Sequence, residues 1–133
     1  MTAAADLVER LHHELLTERD LSVVDRFFAP DFVSHNNPPG FPEGVAGVKQ
    51  FFAMFRDAFP DAGVRIDEIV ADGDRVAVAT TLTGTHEGEL MGMAPTGRAV
   101  EVTGIDIVRI EDGRIAEHRG LTDIVGLMRQ LGS

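Results

Sequence analysis

The stretch RIEDGRIAEHRGLTD, Arg109 to Asp123, joins two runs of alternating residues through a tight Glu-Asp-Gly turn. Ile107, Ile110 and Ile115 mark strands, yet Asp106, His118 and Arg119 stand among them. The segment suits a three-residue hairpin loop, a type I turn followed by a left-handed glycine at a bulge. Gly113 then takes the left-handed position, Ile110 pairs with Arg114, and in step Val108 meets Ala116, Asp106 meets His118 and Gly104 meets Gly120. Directly opposed residues share a sheet face at about 5 Å. This register therefore sets Asp106 beside His118, with glycine clearing space around them. A two-residue Asp-Gly turn pairs Asp106 with Arg119 instead.

Working outward, the period of two runs back as far as Pro60, giving strands at 63–71, 75–87, 98–110 and 114–122. Before Pro60 the period is helical. Leu7, Leu11 and Leu15, with Val8 and Leu16 beside them, form one stripe over residues 3–18. Ser22 and Asp25 resemble a capping box for a short helix through Phe28, and a brief strand follows from Phe32 to His35. Val45, Val48, Phe52, Phe55 and Phe59 mark a third helix stopped by Pro60. Asp123 caps a last helix with Ile124, Leu127, Met128 and Leu131 as its apolar set. Helices first and antiparallel strands afterwards predict an α+β fold, a curved sheet with helices on one face.

All 8 Phe residues lie between 27 and 59, whereas Ala77, Ala79, Thr81 and Thr83 alternate along one face of the second long strand. Small side chains opposite Phe-bearing helices predict a mostly apolar pocket with a few polar groups; close packing of the helices is the alternative. An Asp beside a His orients the ring and supplies an acid/base pair, which suffices for a substrate that brings its own carbonyl. A surface ion pair is the alternative reading of those two residues.

The 133 residues suit one domain, 1–133, with 44% hydrophobic and 26% charged residues and no repeat. Net charge is −10, which repels phosphate backbones and anionic lipid, so neither a nucleic acid nor a membrane is expected as partner. The absence of Cys removes disulfides, thiol nucleophiles and thiolate metal sites, and fits a cytoplasmic address. No apolar run approaches the roughly 20 residues that span a bilayer. Neither a paired-His metal motif nor a nucleotide loop nor a G-x-S-x-G elbow occurs, so no metal and no cofactor is expected. On the face away from the pair, Ile105, Ile107, Ile115 and Leu121 predict a homodimer or homotetramer formed through the sheet.

The blocks G-x-H-x-G…G-x-x-P-T at 84–96 and R-x-x-D-G-x-I-x-x-H…Q-L-G at 109–132, together with PDFVSHNNPPG and FRDAFPDAGVRIDEIVADGDRV, resemble the SnoaL-like polyketide cyclases over nearly the whole chain. The resemblance implies a nuclear-transport-factor-2-like α+β cone, a strongly curved, mainly antiparallel sheet wrapped by N-terminal helices around a deep pocket. It implies ring closure of polyketide-type carbonyl compounds by intramolecular aldol addition without cofactor or metal. Close relatives of the cyclases are cofactor-independent hydroxylases, and the cone also serves as a non-catalytic binding module. Where the aldol cyclases carry H-R-D-W-P-D, this chain has H-R-G-L-T-D, so their catalytic Asp falls on Gly120 and their pocket His on Asp106. The catalytic expectation is therefore Asp106 with His118. The substrate-binding set is His35, at a position where the family often has a pocket His, with Phe52, Phe55, Val108, Gly120 and Met91. His86, in GTHEG, reads equally as a structural residue.

Overall fold

The first apolar stripe folds as helix α1 (Ala3–Thr17), with Ala5, Val8, Leu11 and Leu15 buried. The computed structural model describes residues 3–17, 21–36 and 40–132; the expected helix end at 18, the side chain of Leu16 and residues 37–39 lie outside them. Helix α2 (Val23–Phe27) buries Val23, Val24 and Phe27. The expected side-chain cap by Ser22 does not form, because Ser22 is itself helical; backbone bonds from Val24 N–H to Leu21 O and from Asp25 N–H to Ser22 O hold the turn.

Strand β1 (Phe28–Ser34) starts at Phe28 rather than Phe32. Helix α3 (Gly44–Ala58) ends where Phe59 turns extended, its N–H still bonded to Phe55 O at 2.9 Å. Four long strands follow, β2 (Gly63–Asp72), β3 (Arg75–Thr85), β4 (Ala99–Glu111) and β5 (Arg114–Thr122). Helix α4 (Ile124–Gln130) closes the order, capped as expected by the Asp123 carboxylate, which accepts the Gly126 N–H at 2.9 Å. Of its expected apolar set, Leu127 and Leu131 are buried while Ile124 is exposed.

The sheet order is β1-β5-β4-β3-β2, antiparallel throughout except for the parallel β1–β5 pair. Opposed residues share a face, so Val76, Val78, Thr80 and Leu82 of β3 form a common surface with Val108, Asp106, Gly104 and Val102 of β4. The helices cover this surface at both ends. Val76, Val78, Val108 and Ile115 pack with Val8, Leu11, Leu15 and Phe27 in one cluster. Val100 and Val102 pack with Phe55, Phe59, Leu127 and Leu131 in the other. Along β4 the stretch between Val108 and Val102 carries Asp106 and Gly104, so a polar seam separates the two clusters.

The small-residue row expected to face the helices lies on the outer side. Ala77 and Ala79 pair with Ile107 and Ile105, which are 42% and 61% exposed. A shift of one residue exchanges the faces of a strand, and the Val row takes the inner face because it buries more apolar area.

Candidate active site

The site begins at the hairpin. Asp112 and Gly113 both have positive φ, 52° and 75°, and Glu111 pairs with Arg114. This is a two-residue type I′ turn, not the expected three-residue loop. One step further, Ala116 is inserted: Ile110 pairs with Ile115, but Arg109 pairs with Glu117. The bulge carries the register on to Val108↔His118, Asp106↔Gly120 and Gly104↔Thr122. Beyond the bulge each expected partner is thus displaced by two positions, and a displacement of two preserves the face. Asp106 and His118 share the helix-facing side as diagonal neighbours rather than direct ones. The same bulge turns Ile115 inward, 1% exposed, so it leaves the outer set to which it was assigned.

His118 Nε2 donates to Asp106 Oδ1 at 2.6 Å, and both side chains are 27% exposed. Their bond crosses over Gly120. A Cβ built there lies 2.0 Å from Asp106 Oδ1 and 2.8 Å from His118 Nε2. With Nε2 committed to the carboxylate, a neutral ring keeps its lone pair on Nδ1. Ser34 Oγ stands 3.4 Å from Nδ1, placed there by the parallel pairing of Ser34 with His118. That pairing is locked by two bonds: His35 N–H to His118 O at 2.9 Å and Gly120 N–H to Asn36 Oδ1 at 3.0 Å. The Phe32 ring lies 6.4 Å from the imidazole. The result is a Ser–His–Asp array across β1, β5 and β4, solvent-reachable and backed by apolar packing.

Val108 and Gly120 are brought to the pair, Val108 directly opposite His118 and Gly120 directly opposite Asp106. Phe55 is buried in the second cluster and half-buried Phe52 packs against both. Met91 sits at the tip of the β3–β4 connection with φ 47° and 56% exposure.

His35 is not part of the array. Its Nε2 bonds Glu117 Oε2 at 2.5 Å, and Glu117 points to the opposite side of β5 from His118. The Glu117 carboxyl is lowered to about 2, first by the bond to His35 and then by Arg109 Nε at 3.0 Å. His86 is fully buried. Its Nδ1 accepts the Thr96 N–H at 3.2 Å, tying down the connection between β3 and β4, and among the described residues its Nε2 has no hydrogen-bond partner. Ser34 and Asn36 escaped sequence reading because nothing local announces that β1 pairs with β5. Among the described residues no group of three His, Cys, Asp or Glu gathers as a metal set. The two described surface depressions, about 470 and 570 Å³, lie along α1 and do not include the pair.

Fold and site together define a curved α+β cone carrying a hydrogen-bonded Asp–His pair on its inner face. The chain belongs to the SnoaL-like polyketide cyclase family, whose model matches residues 6–131. It is 34% identical over 117 residues to the nogalonic acid methyl ester cyclase of Streptomyces nogalater, covering 82% of this chain and 83% of that one. It is 31% identical over 140 residues to the aklanonic acid methyl ester cyclase DnrD of Streptomyces peucetius, covering 99% and 92%. The structure of IdmH from Streptomyces antibioticus superposes with a TM-score of 0.85 at 34% identity, covering 98% and 99%.

Proposed function

We propose that this protein is a cofactor-free acid/base enzyme that closes a ring by aldol-type addition, or performs a related isomerisation, on a small, largely apolar polyketide-type carbonyl compound. The observation that carries the reading is the 2.6 Å Asp106–His118 bond in a seam between two apolar clusters. His118 Nδ1 takes a proton from the carbon next to a carbonyl, directly or through the Ser34 hydroxyl. The resulting enolate carbon attacks a second carbonyl of the same molecule, forming one C–C bond. The new alkoxide recovers the proton from the imidazolium, so atoms and electrons balance without a co-reactant. Asp106 holds the ring in the tautomer that leaves Nδ1 free and balances the charge while the proton is aboard. The apolar clusters supply the shape for a hydrophobic ring precursor. Names of the relatives point the same way, since both are methyl ester cyclases.

The span 1–133 is read as a single SnoaL-like domain working in the cytoplasm. Among the described residues no helix is long and apolar enough to cross a membrane. The assembly is read as a homodimer or homotetramer joined through the outer sheet face, where Ile105, Ile107 and Leu121 are 61%, 42% and 76% exposed. The function is tested by incubating purified protein with aklanonic acid methyl ester and following the cyclised isomer by chromatography. Conversion by the wild type and its loss in Asp106→Asn is expected. Tight binding with no product from this or related open-chain carbonyl compounds would replace the enzyme by a binding module.

A further inference from the structure

Gly120 stands directly opposite Asp106, and the backbone at 120 does not take a positive φ. Conformation therefore does not demand glycine there, and in a strand interior glycine is normally the weaker choice. The demand comes from occupancy. The Asp106 carboxylate fills the volume into which a residue-120 side chain projects, with Oδ1 only 2.0 Å from a Cβ built there and His118 Nε2 at 2.8 Å. Both atoms in the way are ends of side chains, which rotate aside at little packing cost. What their rotation breaks is the bond between them.

Resting on the acid/base reading above, we infer that Gly120 is a positioning residue: its missing side chain lets β4 supply the carboxylate that bonds His118, and any side chain at 120 evicts it. Residues 106 and 120 form one cross-strand pair over the same imidazole, and in this chain the carboxylate from 106 occupies the space that a side chain at 120 would need. Position 120 thereby fixes which strand holds the ring and the tautomer His118 presents to substrate.

The test compares Gly120→Ala, Asp106→Asn and the transposed variant Asp106→Gly with Gly120→Asp. Thermal melting, the NMR signals of the His118 ring and turnover of aklanonic acid methyl ester are measured on each. Gly120→Ala is expected to melt cooperatively, to lose the bonded Nε2–H signal, and to fall in turnover as far as Asp106→Asn, about 10²–10⁴-fold for a positioned acid/base group. Adding Asp106→Asn to it costs little more, because both act on the one interaction between Asp106 and His118. Transposition restores the bonded signal that Asp106→Gly alone lacks. As a folding control, Gly120→Ala on the Asp106→Gly background meets no carboxylate and melts no lower than Asp106→Gly; a lower midpoint there overturns the inference. So does a Gly120→Ala protein that keeps the bonded signal. If Asp106→Asn loses turnover while Gly120→Ala does not, this inference fails and the acid/base reading stands. If Gly120→Ala loses the bonded signal while Asp106→Asn keeps full turnover, the acid/base reading fails and the positioning role stands.

Discussion

His118 bonds Asp106 through Nε2 and faces Ser34 through Nδ1, so under the proposed mechanism a change to either member of the Asp106–His118 pair disables the same proton path. Asp106→Asn keeps the shape and removes the charge; His118→Ala removes the carrier. Each should lower turnover by about 10²–10⁴-fold, and the double variant should cost little more than the worse single. Steady-state rates on one substrate check this, and multiplicative losses would show that the two act separately. On the other side of β5, Glu117 has a different task. Its folded carboxyl sits at about 2 against an ordinary 4.5, held down by His35 and then Arg109. A carboxyl depressed on folding stabilises above its unfolded value and loses that contribution as pH falls toward the folded one. Stability linked to Glu117 should therefore drain away between about pH 4.5 and 2, and Glu117→Gln should flatten the fall of the urea midpoint over that window. His35, expected in the pocket, lies instead against Glu117 on the other side of β5 from His118. It follows Ser34 just past the end of β1, where the chain bends away from the strand.

Two elements decide the geometry of the site, the type I′ turn and the bulge behind it. Gly113 sits at φ 75°, so Gly113→Ala should cost about 1–2 kcal/mol, the penalty for a Cβ in the left-handed region, seen in urea melts. Asp123→Ala removes the bond to Gly126 N–H and should cost about 1 kcal/mol as a lost helix cap. The four helices and the long strands were legible because stripes of period 3.6 and alternation of period 2 are written locally. The turn was not, since Glu-Asp-Gly serves both a two-residue and a three-residue loop. Nor was the bulge, because Ala116 differs in no local way from its neighbours. The expected register was wrong by two positions and still put Asp106 and His118 on one face, as any even error does. The odd error, on Ala77 and Ala79, was fatal to the inference drawn from it. Sequence pattern shows that a strand has two faces, whereas packing against Val8, Leu11 and Phe27 decides which one is inside.

At the scale of the molecule the outer sheet face is the conspicuous surface. Leu121 and Ile105 lie side by side across β5 and β4, with Ile107 on the next row beside Ala77. Three large aliphatic side chains exposed together exceed the scattered exposure usual on a monomer. Leu121→Asp or Ile105→Asp should shift the sedimenting species to monomer mass at micromolar concentration, with the His118 ring signals unchanged because these residues face away. A wild type that sediments as a monomer removes this assembly. The parallel β1–β5 pair has a further consequence, for the order in which the chain acquires its activity. Ser34 and His118 are separated by 84 positions, and so are the partners of the Asn36 bond to Gly120. Such distant partners meet late, since closing a long loop costs entropy before any contact repays it. Catalytic competence should accordingly appear only with the slowest refolding phase, after most helical signal has returned. A nascent chain that has not yet released β5 lacks His118, and with it Ile115, Leu127 and Leu131 of the two core clusters.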